Sequence, residues 1–264
     1  MKLSHKHNNL GHKKTVVMFH SFPASSRIFH SQIPLWNEKF NTLYFDLPGF
    51  GYSKPLKSFS IQEYINPVRD LIDKYQIESE NTIFYGVSFG GIIALEYSQK
   101  YHIPQIIFES TPFNKHMIHT KEFEAIDFLK RLTTKTNSLK LFQKELRENK
   151  LLQKLIVAVY NIVKPHSKHN LDEKELFFFM RHIDLNTFFE IANYFKVFNI
   201  NKDLKANTSR KLFVYDKYDP TVPFKYFNRV ISKLGEKIIT EYEIHAPSTL
   251  FGKEMAPKLI AAVM

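Results

Sequence analysis

Ser88 stands in Gly86-Val87-Ser88-Phe89-Gly90, with a further glycine, Gly91, behind it. A β-branched and aromatic run from Thr82 precedes it, and an amphipathic stretch to Lys100 follows. A serine on a sharp turn between a strand and a helix has its hydroxyl pushed out of the sheet, with the helix N-terminal amides aimed at it. That is the setting of a nucleophile. Gly86 and Gly90 fall where a Cβ would collide with a neighbouring strand or helix. A hydroxyl nucleophile also needs a base, an acid that orients the base, and donors for an oxyanion. Downstream, Asp216-Lys217-Tyr218-Asp219-Pro220-Thr221-Val222-Pro223 offers two carboxylates, and His245-Ala246-Pro247 offers an imidazole. Glu109 is a third carboxylate. Asp219 is preferred because it directly precedes the Pro-Thr-Val-Pro run.

These residues need strands that end where they begin. Thr15–His20, Thr42–Asp46, the run into Ser88, Gln105–Glu109, Lys211–Tyr215 and Lys237–Ile244 read as buried strands. Ser60–Gln76 has apolar residues near a 3.6-residue period, with a kink expected at Pro67. Val222–Leu234 and the stretch from Gly252 onward also read as helices. Strands alternating with helices predict an α/β fold with a mostly parallel sheet flanked by helices. The rhythm breaks from about Phe113 to Lys205, where the periodicity is helical. The expected organisation is therefore a core of residues 1–112 and 206–264 with a helical cap inserted at 113–205. Active sites of open parallel sheets lie beyond the C-terminal strand ends, which is where Asp219 and His245 fall.

The chain has 264 residues, 44% of them hydrophobic, and no cysteine. Disulfides and thiolate metal sites are thereby excluded. The polar start carries no apolar leader, and no run approaches the roughly 18 apolar residues of a membrane span. The expectation is a soluble, cytoplasmic protein. His5, His7 and His12 are assigned to a frayed terminus. His116 and His119 are three apart but lack a third ligand, so no metal is expected. Phe178, Phe179, Phe188 and Phe189 are candidates for lining a pocket or packing the insertion. The net charge is +11. Between residues 130 and 168 ten lysines and arginines face only Glu145 and Glu148. Lys140, Lys144, Arg147 and Lys154 recur at helical spacing, as an outward basic stripe, with Phe142, Leu146, Leu152, Leu155, Ile156 and Val159 available for an apolar side.

Four segments together resemble the capped α/β-hydrolases, roughly from Thr15 to the end. His20-Ser21-Phe22-Pro23 resembles the H-G-x-P oxyanion segment, and Asp46-Leu47-Pro48-Gly49-Phe50-Gly51-Tyr52-Ser53 the D-x-P-G-x-G-x-S loop. The serine turn fits the nucleophile elbow, and Asp219-Pro220-Thr221-Val222-Pro223 the acid loop. The resemblance implies Ser88 as nucleophile, His245 as base, Asp219 as orienting acid, and the Phe22 and Phe89 amides as the oxyanion hole. His20 would hold the oxyanion loop. Ser21 departs from the family's glycine, which puts the geometry of that loop in question. A serine at the elbow argues against the dehalogenase and epoxide hydrolase relatives and for a serine carboxylesterase needing no metal or organic cofactor. The D-L-P-G-F-G-x-S loop, the acid loop and H-A-P around His245 are similar to pimeloyl-acyl carrier protein methyl ester esterases of biotin synthesis. That similarity implies a small acyl ester substrate and an acidic acyl carrier protein docked on Lys140, Lys144, Arg147 and Lys154. Neither nucleic acid nor membrane is expected as a partner, and the expected state is monomeric. The alternatives are a thioesterase or C–C bond hydrolase with the same triad, and a non-catalytic binding protein on this fold.

Overall fold

The computed structural model describes residues 1–118, 126–127, 130–131, 138–163, 173–216, 219, 221–234, 238–242 and 255–264. Seven strands form one sheet: β1 His5–Asn8, β2 Thr15–Phe19, β3 Asn41–Phe45, β4 Thr82–Val87, β5 Gln105–Glu109, β6 Arg210–Asp216 and β7 Ile238–Tyr242. Their order is β1-β3-β2-β4-β5-β6-β7, and all pairs are parallel except β1 with β3. Every residue of β2 to β5 is buried, as continuous apolar runs covered on both faces require.

The described helices, in chain order, are α1 Ile33–Trp36, α2 Ile61–Lys74, α3 Phe89–Lys100, α4 Leu139–Glu148, α5 Lys150–Val163, α6 Glu173–His182, α7 Leu185–Phe195, α8 Asn201–Ala206, α9 Phe224–Leu234 and α10 Ala256–Val263. Ser60 starts α2 by accepting the Glu63 N–H on its hydroxyl at 3.2 Å. The helix is continuous through Pro67. Tyr64, Ile65, Val68, Leu71 and Ile72 of α2 pack with α3, Phe227 and Ile231 of α9, and much of α7 on one sheet face. Trp36 of α1 and Leu259 and Val263 of α10 pack on the other, with Val16, Met18 and Tyr85. Helices α4 to α8 all lie between β5 and β6.

Two expectations change. His5 and His7 are not in a frayed terminus: they lie in an antiparallel edge strand, with His5 opposite Phe45 and His7 opposite Leu43. Both imidazoles pack on Tyr75, at 5.6 and 4.3 Å between ring centroids, and His12 Nε2 lies 2.9 Å from the Asn37 carbonyl. The basic stripe is also not one helix. Asn149 leaves the helical region (φ −88°, ψ 99°), and its side chain accepts the Leu151 and Leu152 N–H groups, so it caps α5. Lys140, Lys144 and Arg147 therefore sit on α4 and Lys154 on α5. All four are exposed. Leu155, expected on the apolar side, is 60% exposed; Leu151 is 78% and Leu141 61%. Among the described residues no helix is long and apolar enough to cross a membrane.

Candidate active site

Ser88 joins β4 to α3 with φ 50° and ψ −115°, a conformation that costs a non-glycine residue about 1–3 kcal/mol. Close packing on both sides holds it there. A Cβ on Gly90 would lie 2.2 Å from the Phe19 carbonyl oxygen of β2, and one on Gly86 would lie 2.4 Å from Gly91 Cα. The Ser88 N–H donates to the Glu109 carbonyl at 2.8 Å, tying the turn to β5. Phe89 opens α3, and the first N–H groups of a helix have no partner within it. The turn thus makes Ser88 the N-cap of α3, its carbonyl accepting the Gly91 and Ile92 N–H groups at 2.9 and 3.4 Å.

Phe22, the other residue expected at the oxyanion, meets the same helix of the insertion as Phe89 does, from a separate loop. Its ring stacks on Phe188 of α7 at 4.9 Å, and Phe195 of α7 lies edge-on to Phe22 at 5.8 Å and to Phe89 at 5.9 Å. One helix of the insertion therefore gathers both residues. Helix α7 is in turn fastened to the Asp46–Ser53 loop: the Asp184 N–H donates to the Gly49 carbonyl at 2.8 Å. Gly49 has φ +84°, and a Cβ there would come within 2.5 Å of Thr187 Oγ1. Phe179 and Phe189 are buried in packing, whereas Phe188 and Phe178 are half-buried.

His20 is fully buried and braces the oxyanion segment. Leu47 N–H donates to its Nε2 at 2.8 Å, which leaves the proton on Nδ1, 2.8 Å from the Ser21 carbonyl. Burial pushes its pKa down, against the opposing pull of Asp46 and the Ser21 carbonyl, so the ring is neutral. Ser21 adopts no positive φ, so the serine in place of glycine imposes no left-handed strain.

On the acid side, Asp219 lies just beyond β6, half-buried. Its Oδ1 accepts the N–H groups of Thr221 and Val222 at 2.8 and 2.9 Å, which fixes the carboxylate at the entrance to α9. Asp216 is the last residue of β6. Glu109 is fully buried at the end of β5 and accepts the Tyr85 hydroxyl. Burial, then Glu109, pushes the Tyr85 pKa well up, which keeps that phenol protonated. His245 and His119 lie outside the described residues. Among those described, no cluster of three histidines, aspartates or glutamates could hold a metal.

Residues 14–234 match the alpha/beta hydrolase fold family. The chain belongs to that family. The AB hydrolase superfamily protein YisY of Bacillus subtilis is 28% identical over 95 residues, 35% of each chain. An uncharacterized hydrolase of Saccharomyces cerevisiae is 33% identical over 90 residues, 33% of this chain and 31% of that one. The matches span about a third of the length of these curated relatives. A carboxylesterase of the thaumarchaeon Nitrososphaera gargenis superposes with a TM-score of 0.71 at 16% identity, covering 99% of this chain and 93% of that one. At that identity the likeness is one of fold. Sequence reasoning missed how this α/β-hydrolase ties α7 to Gly49. Its one signal was the glycine itself, in a loop where a side chain would have blocked Thr187.

Proposed function

We propose that this α/β-hydrolase cleaves carboxylic esters through an acyl-enzyme on Ser88. The observation that carries the reading is the Ser88 turn, held in a strained conformation by two glycine contacts, with Phe22 and Phe89 converging beside it on Phe195. Ser88 Oγ attacks the ester carbonyl while His245 takes its proton, and the Phe22 and Phe89 amides receive the oxyanion. The C–O bond to the alcohol breaks and the alcohol leaves with the proton from His245. Water, deprotonated by His245, then attacks the acyl-enzyme and releases the carboxylic acid and Ser88. Asp219 orients His245. Residues 113–205 act as a cap on the core of 1–112 and 206–264, with Phe22 and Phe188 walling the acyl side.

A finer reading takes the substrate to be the methyl ester of a pimeloyl group on an acyl carrier protein. The exposure of Lys140, Lys144, Arg147 and Lys154 favours it, since an acidic carrier needs accessible positive charge. The test is a paired hydrolysis assay of carrier-bound pimeloyl methyl ester and free p-nitrophenyl butyrate. Ester hydrolysis of either, lost in Ser88→Ala, supports the general reading; no serine-dependent turnover of either contradicts it. Lys140→Glu with Arg147→Glu should cut turnover of the carrier-bound ester alone. Equal losses on both substrates would end the carrier reading.

A further inference from the structure

A cleft of about 430 Å³ is lined in part by Asp46 and Tyr52 of the Asp46–Ser53 loop. That volume lies within the usual range for small-molecule sites. Its walls come from β1, from the turn leading into α1, from the end of β3 and, across the joint, from α6 of the insertion. None of Ser88, Phe22 or Phe89 lines it.

The charges around it are unevenly matched. Glu175 is taken by Arg27, whose Nε and Nη2 donate to its carboxylate at 3.0 and 2.7 Å, while the guanidinium lies 4.3 Å over the Phe178 ring. Asp46 is buried and accepts three bonds: Ser26 N–H at 2.9 Å, Ser26 Oγ–H at 2.7 Å and Tyr52 N–H at 2.9 Å. Both carboxylates are therefore occupied. Lys6 and His30, also lining the cleft, make no ion pair among the described residues. Ile33, Pro34 and Phe178 line the same cleft and supply apolar surface. Two donors outside any ion pair of the described residues, in a cleft with hydrocarbon and aromatic surface, match a ligand with one negative end and one apolar end.

We propose that this cleft binds a small organic carboxylate, its carboxylate between Lys6 and His30 and its apolar body against Ile33, Pro34 and Phe178. Such a ligand touches core and insertion at once, beside the Arg27–Glu175 pair that joins them. Partial desolvation of the ring, then Arg27 and Lys6, push the His30 pKa down against the pull of Glu175 and Asp46, and a bound anion adds to that pull. The binding claim does not depend on what Ser88 does.

The test is titration calorimetry of the full chain with hexanoate, benzoate and inorganic phosphate. One-site binding of hexanoate and benzoate is expected, weakened about tenfold or more in Lys6→Ala with His30→Ala, a loss of one charged contact's worth of affinity. Both residues are exposed, so this variant should fold. Phe188→Ala, which removes the ring stacked on Phe22 and does not line the cleft, should leave the affinity unchanged. The proposal is overturned by any of three results: no binding of either acid, affinity unaffected by the double variant, or affinity lost in Phe188→Ala instead. Phosphate binding as tightly as the carboxylates would overturn the assigned ligand class.

Discussion

The two halves of the insertion treat the same kinds of residue in opposite ways. Helix α7 turns its aromatic and aliphatic residues inward: Leu185, Phe189, Ile191, Ala192 and Phe195 are buried, and Phe188 stacks on Phe22. Helices α4 and α5 leave Leu141, Leu151 and Leu155 in solvent and bury Leu146, Gln153 and Val157 among the residues described on them. The difference follows from contact with the core. Helix α7 must meet a fixed surface, the Gly49 loop and the rings of Phe22 and Phe89, so its side chains are dictated by fit. The outer pair is held along one side only, by Leu146 in the core cluster and by Gln143, which donates to the Ile183 carbonyl and accepts the Leu185 N–H. Its other face leaves leucines exposed among lysines, where fit to a neighbour does not dictate the side chain.

The largest expected effect tests this contrast directly. Phe195→Ala removes the ring that touches both Phe22 and Phe89, and should cost about 3–5 kcal/mol in denaturant unfolding, with ester hydrolysis falling as well. Leu155→Ala, the same kind of truncation on the outer pair, should change stability by no more than about 0.5 kcal/mol. Similar losses in the two variants would erase the distinction.

Gly49→Ala sharpens the inner side. The left-handed φ and the clash with Thr187 should together cost about 2–3 kcal/mol. Combined with Thr187→Gly, the loss should fall short of the sum of the two singles by about 1 kcal/mol, because the clash is shared. Strict additivity would mean that α7 is not seated on Gly49.

A smaller effect comes from His20, which braces the loop that α7 covers. Its folded pKa lies below the ordinary value, so below pH about 6.5 the unfolded chain takes up a proton that the folded chain refuses. Its contribution is full above that pH. As the pH falls, stability should drop by up to about 1.4 kcal/mol per unit from this group. His20→Gln should remove that part of the slope in urea unfolding followed from pH about 5.5 to about 7.5. An unchanged slope would place the acid sensitivity elsewhere.

The inner elements were legible in the sequence because burial leaves a pattern. Continuous apolar runs marked β2 to β5, glycines two residues to either side marked the Ser88 turn, and the loss of strand signals after Pro112 marked the insertion. Strand β1 was not legible. It is four polar residues at a sheet edge, held by backbone pairing to β3 and by two imidazoles on Tyr75, nearly seventy positions away. The break between α4 and α5 did have a signal, Asn149, a residue type that caps helices, but the lysine spacing across it looked continuous. The outward leucines had none, since helical periodicity alone does not tell which face meets the core.

Intact-mass analysis after fluorophosphonate treatment tests the central claim most directly. A nucleophilic serine on a strained turn at the start of α3 should take up one phosphonyl group, recovered on the peptide containing Ser88, and Ser88→Ala should take up none. No adduct on the native chain, or an adduct that persists in Ser88→Ala, would contradict the assignment of Ser88 as nucleophile.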